Sequence, residues 1–164
     1  MKSVFLILLV FSVGLAQAEP VTWYLVDANF AGGGSASGSF DYDADTNVYS
    51  SVAVTSTSGN AFVGAEYRYG MLSSNYLPSA TNVNFSPASQ PVANEGALVM
   101  AFASALTNAG GLVDIVVGSS LSKEGLCVEA PLLPEQRLSC DGGGNVNWLR
   151  TFKEGFVSSA PNTE

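Results

Sequence analysis

The stretch from Gly34 to Thr57 reads GSASGSFDYDADTNVYSSVAVTST, with two alternating runs on either side of a short acidic turn. Apolar side chains or glycine at every second position are typical of a strand with one buried face. The face that we predict to be buried carries Ala36, Gly38, Phe40 and Tyr42 in the first run and Val48, Val52 and Val54 in the second. We therefore predict a β-hairpin here, onto which the rest of the chain packs.

Further runs rich in β-branched and aromatic residues precede and follow this hairpin. We predict strands at 21–30, 62–69, 83–85, 97–106, 112–117 and 145–157, the last one broken or bulged at Gly155. Residues 71–96 contain three prolines and indicate a long loop around the short strand at 83–85. The pattern predicts an all-β chain, an antiparallel β-sandwich or flattened barrel of about seven to nine strands.

One segment, Ala97–Leu106, fits either a helix or a strand. Its Ala, Leu and Met residues favour a helix, whereas its larger apolar residues also alternate with small ones. The next run, Leu112–Val117, is strand-like, and Thr107–Gly111 is rich in turn residues. We favour a hairpin of these two runs over a helix.

The first residues have the features of a secretory signal peptide. Lys2 precedes the apolar run Val4–Leu15, which is too short to span a membrane, and Ala16-Gln17-Ala18 forms a small-x-small cleavage site. We predict a signal peptide at 1–18 and a single β domain at 19–164, secreted or periplasmic and without a membrane span after cleavage.

The two cysteines, Cys127 and Cys140, are close in the sequence. In an exported protein a disulfide is the default, and one that closes a loop of about 14 residues contributes roughly 3 kcal/mol by the chain-entropy model. A metal site is the alternative, but two cysteines without histidine fall short of a zinc shell.

Composition excludes several functions. The net charge of −8 disfavours binding to nucleic acid. The chain contains no histidine, which removes the Ser-His-Asp and Cys-His mechanisms. We assign no catalytic residue and no cofactor, and we expect a non-enzymatic protein. A glycoside hydrolase that uses only a pair of carboxylates is the less favoured enzymatic reading.

Two groups of side chains are candidate binding residues. Asp41, Asp43, Asp45 and Asn47 alternate like the first ligands of a calcium loop. Thr46 stands where an EF-hand has Gly, however, and Val52 where it has the bidentate Glu, so we favour a polar turn that bonds its own backbone. Tyr49 falls on the predicted polar face, where its ring would be able to stack on a sugar.

The run VTWYLVDANFAGGGSASGSFDYDADTNVYSSVAVTS, followed later by LTNAGG, resembles a domain of exported bacterial proteins that often carry a PEP-CTERM sorting tail. The shared pattern is G-x-F-x-Y-D-x-x-T followed by a tyrosine, and it is matched by Gly38, Phe40, Tyr42, Asp43, Thr46 and Tyr49. The sorting tail itself is not among these residues. The resemblance implies an all-β exported protein from cell-surface or exopolysaccharide-rich settings, without catalytic residues.

Together these features predict a secreted β-sandwich with a non-enzymatic role at the cell surface or in the matrix. Its partners would be extracellular polysaccharide or other surface proteins. The alternative is a glycan-binding module, assisted by calcium at the acidic turn.

Overall fold

The computed structural model describes residues 18–71, 78–89, 94–118, 121–127 and 146–161. These residues form ten β-strands and no helix, which confirms the all-β prediction. None of the described segments is a helix with the length and hydropathy of a membrane span. The strands are β1 (Val21–Phe30), β2 (Ser35–Asp43), β3 (Val48–Ser56), β4 (Glu66–Tyr67), β5 (Tyr69–Met71), β6 (Asn82–Ser86), β7 (Gly96–Ala101), β8 (Leu112–Asp114), β9 (Lys123–Cys127) and β10 (Val146–Ser158).

All strand pairs are antiparallel and follow the order β4-β3-β2-β1-β10-β9-β7-β6-β5, with β8 also on β10. The long strand β10 forms one corner, because its first part pairs with β9 and its last part with β1 and β8. At the opposite corner β4 and β5 are separated only by Arg68, and they pair with β3 and β6. The sheet therefore folds back on itself as a nearly closed, flattened barrel, which is the predicted fold class.

The strand count exceeds the predicted seven to nine for two reasons. The sequence pattern did not single out β9. The strand predicted at 62–69 is also divided and begins later, since β4 and β5 flank Arg68 and Val63 lies before both strands with 85% of its surface exposed. The short strand predicted at 83–85 is confirmed by β6.

The hairpin at the centre of the sequence is present as β2 and β3, joined by the turn 44–47. Its first strand buries Ala36, Phe40 and Tyr42, as predicted. The second strand departs from alternation, because Ser51 has a φ of 48° and the register shifts between Ser39 and Asp41. Such a bulge reverses the faces of the residues that precede it.

The bulge overturns two predictions on β3. Val48, expected in the core, is 51% exposed, and Tyr49, expected on the polar face, is 8% exposed and belongs to the core. Val52 and Val54, which follow the bulge, are buried as predicted.

The segment Ala97–Leu106 is a strand in its first half, so the helix alternative is wrong. The predicted hairpin with 112–117 is only partly correct. β7 pairs with β6 and β9, while β8 pairs with β10. The two runs meet only at an isolated antiparallel bridge between Phe102 and Ile115.

The last strand is confirmed as β10, with Gly155 at an irregularity. The extra residue lies in β1, where the register with β10 shifts between Val26 and Asn29. Gly155 has a φ of 142°, and a Cβ there would contact the Ala28 Cα at 2.7 Å. Glycine is therefore required where β10 passes the bulge of β1.

Candidate functional site

The acidic turn is closed by its own hydrogen bonds. Asp43 Oδ1 accepts from the Asp45 backbone N–H at 2.9 Å and from Asn108 Nδ2 at 3.2 Å, and Asp43 Oδ2 accepts from Thr46 Oγ1 at 2.7 Å. These bonds, above all the one from Thr46, lower the pKa of the Asp43 carboxyl because they favour its charged form. Asp43 thus acts as the acceptor that orders the turn.

The other predicted calcium ligands do not converge on one point. Asp41 Oδ1 accepts from Thr22 Oγ1 at 2.6 Å, and Asn47 Oδ1 accepts from the Tyr42 hydroxyl at 2.9 Å. Asp45 is exposed. Within the described ranges, no group of three or more Asp, Glu, Cys or His side chains is arranged to hold a metal ion. The geometry is that of a polar hairpin tip.

Tyr49 lies inside the barrel in an aromatic cluster. Its ring centroid is 4.6 Å from that of Tyr42, 5.5 Å from Phe40 and 6.2 Å from Phe85. Its hydroxyl donates to the Ser79 carbonyl at 2.6 Å. Burial, and secondarily the neighbouring Tyr42, raise the pKa of the Tyr49 phenol. The prediction of an exposed stacking ring at Tyr49 is therefore wrong, since the ring offers no open face to a sugar.

The structure brings together a charged group that the sequence pattern did not reveal. Glu124 of β9 is 0% exposed and Arg150 of β10 is 6% exposed. Arg150 Nε and Nη2 each lie 2.5 Å from Glu124 Oε2, and the hydroxyl of the buried Tyr67 donates to Glu124 Oε1 at 2.5 Å. We call these three residues the charge cluster. Both oxygens of the buried carboxylate have donors, as burial of a charge requires.

The remaining donors of Arg150 reach the backbone of distant loops. Nη1 donates to the Gly33 carbonyl at 3.1 Å, and Nη2 donates to the Thr57 carbonyl at 2.8 Å. The guanidinium carbon lies 4.0 Å from the ring centroid of Phe30 and 5.1 Å from that of Phe62. Planar, weakly hydrated guanidinium suits this combination of a carboxylate, two carbonyls and two rings.

Two glycines leave the space that the guanidinium fills. A Cβ at Gly34 would lie 2.5 Å from Arg150 Nη1, and one at Gly59 would lie 2.9 Å from it. Gly34 also has a φ of 79°, which side chains rarely adopt. Three consecutive glycines at 32–34 are visible in the sequence, but their relation to Arg150 is not, because the two are more than 100 positions apart.

The hydrogen bonds and the ion pair of the charge cluster hold the strands together. Burial is the largest cause that raises the pKa of the Tyr67 phenol, followed by the charge and the hydrogen bond of Glu124. The phenol stays protonated and remains a donor at neutral pH. A buried carboxylate with both oxygens bonded by protein groups has no free oxygen to offer a substrate.

Cys127 ends β9 and is 1% exposed. It is paired in register with Val146 and packs in a small second cluster with Ala97 and Trp148. Cys140 lies outside the described residues, so the disulfide between the cysteines stays a prediction. The same holds for the signal peptide, since residues 1–17 lie outside the described residues.

Comparison with known proteins gives no family assignment. The chain matches no protein-family model, and no curated protein or solved structure shows significant similarity to it. The resemblance to the exported bacterial domain therefore stays a prediction.

Proposed function

We propose that this protein is an exported, non-enzymatic β-sandwich that acts at the cell surface or in the extracellular matrix. The signal-peptide pattern at 1–18, the absence of histidine from the sequence and the resemblance to an exported bacterial domain all favour this function.

The observation that carries the proposal is the use of carboxylates as structural acceptors. Glu124 is buried in an ion pair, Asp43 closes a turn, and Glu66 pairs with Arg68 at 2.6 Å on the surface. A histidine-free hydrolase needs a carboxylic acid with a raised pKa. The pKa of Asp43 is shifted in the opposite direction.

Glycan binding is the second candidate, and it now depends on Tyr69 rather than on Tyr49. Tyr69 is 45% exposed, the most exposed aromatic side chain in the described part of the chain. It follows the exposed ion pair between Arg68 and Glu66. An aromatic face beside charged hydrogen-bonding groups is chemistry that suits a sugar ring.

Export is tested by expressing the full chain in a Gram-negative host and analysing the culture medium and periplasm by intact mass. We expect a mature chain that begins at Glu19 and is two hydrogen atoms lighter than its reduced form, as a Cys127–Cys140 disulfide formed in an oxidising compartment requires. A full-length chain confined to the cytoplasm would contradict the proposal.

Binding and catalysis are separated by incubating the mature protein with insoluble exopolysaccharide. We expect co-sedimentation without release of reducing sugar, whereas sugar release would identify a carboxylate-only hydrolase. Tyr69→Ala tests the glycan candidate, with Val63→Ala as the matched control, because Val63 is an exposed apolar residue without a ring. A loss of binding in Tyr69→Ala alone supports a glycan site there, and equal binding by both variants contradicts it.

A further inference from the structure

The connection between β3 and β4, residues 57–65, crosses the guanidinium of Arg150. We propose that these residues form a strap that opens as a local unit, and that Arg150, positioned by Glu124, is the latch that holds the strap shut. The strap belongs to no strand, and Phe62 is its only buried side chain.

Few bonds attach the strap to the barrel. Its two ends are tied, since Thr57 N–H donates to the Ser35 carbonyl and the Ala65 carbonyl accepts from the Ser56 N–H. In addition, the Thr57 hydroxyl accepts from the Ser35 N–H and the Ala65 N–H donates to Ser56 Oγ. Between these ends, the Asn60 N–H donates to the Gly32 carbonyl at 2.9 Å. Segments with few buried side chains and few backbone bonds open at lower free energy than the sheet that carries them.

Arg150 contributes further contacts to the strap. Its guanidinium donates to the carbonyl of Thr57, the first residue of the strap, and lies against the Phe62 ring. It also donates to the Gly33 carbonyl, in the turn against which the strap lies. Glu124 binds Nε and Nη2, and these bonds orient the guanidinium so that Nη2 also reaches the strap and Nη1 reaches the turn. The latch thus connects β9 and β10 to two loops.

Amide hydrogen exchange of the mature exported protein tests the proposal. Arg150→Lys keeps the charge beside Glu124, but a single ammonium does not span the carboxylate and both carbonyls. We expect the amides of Gly59 and Asn60 to exchange about tenfold faster, because bonds to a charged donor are lost. Exchange of the strap amides should depend little on urea, as a small local opening requires, whereas amides of the β2–β3 hairpin should show the full urea dependence of global unfolding.

A second variant tests the strap without changing any charge. Gly59→Ala places a Cβ against Arg150 Nη1 and the Gly33 backbone, which displaces the strap. Ser58→Ala, at the neighbouring exposed position, is the control and should exchange like wild type. Wild-type strap rates in both Arg150→Lys and Gly59→Ala would overturn the proposal. Strap amides whose exchange rises with urea as steeply as that of the hairpin amides would also overturn it, because the strap would then open only with the whole domain.

Discussion

The inner face of the β2–β3 hairpin and the charge cluster are both buried, but they are held together by different kinds of contact. In the hairpin the partners are near one another in sequence, as in the bond from Tyr42 to Asn47 five positions later and the ring contact of Phe40 with Tyr49. In the charge cluster the partners are far apart, with 57 positions between Tyr67 and Glu124. Local contacts form from one segment, whereas the charge cluster exists only after the sheet has closed.

The two regions also differ in how they respond to the loss of a partner. When an apolar side chain in a core is truncated, the free energy of unfolding falls roughly in proportion to the contacts that are removed. A buried ion pair stabilises the fold only while both charges are present, because removing one member leaves the other charge desolvated and unpaired. The charge cluster should therefore be the more sensitive region, and four measurements test this contrast.

The largest effect is expected at the charge cluster. Arg150→Met leaves Glu124 buried without its cation, and we expect a loss of about 3–5 kcal/mol in the free energy of unfolding, measured by urea titration. The double variant Glu124→Met/Arg150→Met removes both charges and should recover most of that loss. If Arg150→Met were as stable as the double variant, an unpaired Glu124 would carry no energetic cost, and the expected contrast would be wrong.

A matched pair of tyrosine variants compares the regions directly. Tyr67→Phe removes a donor from a buried carboxylate and should cost about 1.5–3 kcal/mol, whereas Tyr49→Phe removes a neutral bond and should cost about 0.5–1.5 kcal/mol. The Ser79 carbonyl that Tyr49 bonds also accepts from the Asn82 N–H, which reduces its loss. Equal costs by urea titration would contradict the contrast.

Because the phenols of Tyr49 and Tyr67 are buried, we expect the free energy of unfolding to fall at alkaline pH. Their phenol pKa values are raised by burial above the ordinary value of 10.0. A raised phenol pKa stabilises the fold fully below about pH 10, and this stabilisation is lost as the pH rises above 10 towards the folded-state pKa. We expect a decrease of about 1.4 kcal/mol per pH unit per tyrosine above pH 10. Unfolding curves of Tyr49→Phe and Tyr67→Phe should each show a shallower pH dependence than wild type, and unchanged slopes would argue against buried phenols.

The smallest effect is expected at the hairpin tip. Asp43 already accepts three hydrogen bonds from the turn and Asn108. We therefore expect the melting temperature to be the same in 2 mM EDTA and in about 1 mM calcium, because a cation that does not bind the native state adds no stability. A calcium-dependent increase that Asp43→Ala abolishes would restore the metal interpretation of the tip.

Much of the fold could be predicted from alternation and turn residues. The first strand matches its predicted bounds, the hairpin lies where the pattern placed it, and β10 differs by one residue at each end. The alternation pattern assigned Val48 and Tyr49 to the wrong faces of β3. The reason is that Ser51 adopts a left-handed backbone conformation, which a serine in the sequence does not predict. One inserted residue reverses every preceding side chain, so a local error of this kind moved a candidate ligand residue into the core.

The charge cluster could not be predicted from alternation and turn residues. Glu124 directly follows Lys123, and Arg150 lies three positions before Lys153, so each charge has the sequence context of a solvated strand face. The register of β9 with β10 pairs them directly, and the closure of the barrel brings in Tyr67 and Gly33. These are long-range consequences of topology, and no single segment contains them.

By itself, the sequence determined the fold class, the place of the hairpin and the exclusion of histidine chemistry, because side-chain period and composition are local properties. Only the tertiary structure decided which polar residues are buried, that Tyr49 packs in the core, and that Arg150 meets Glu124 beneath the strap. Those outcomes depend on strand register and sheet closure, in which contacts between residues 26 to 93 positions apart select among faces that look alike in the sequence.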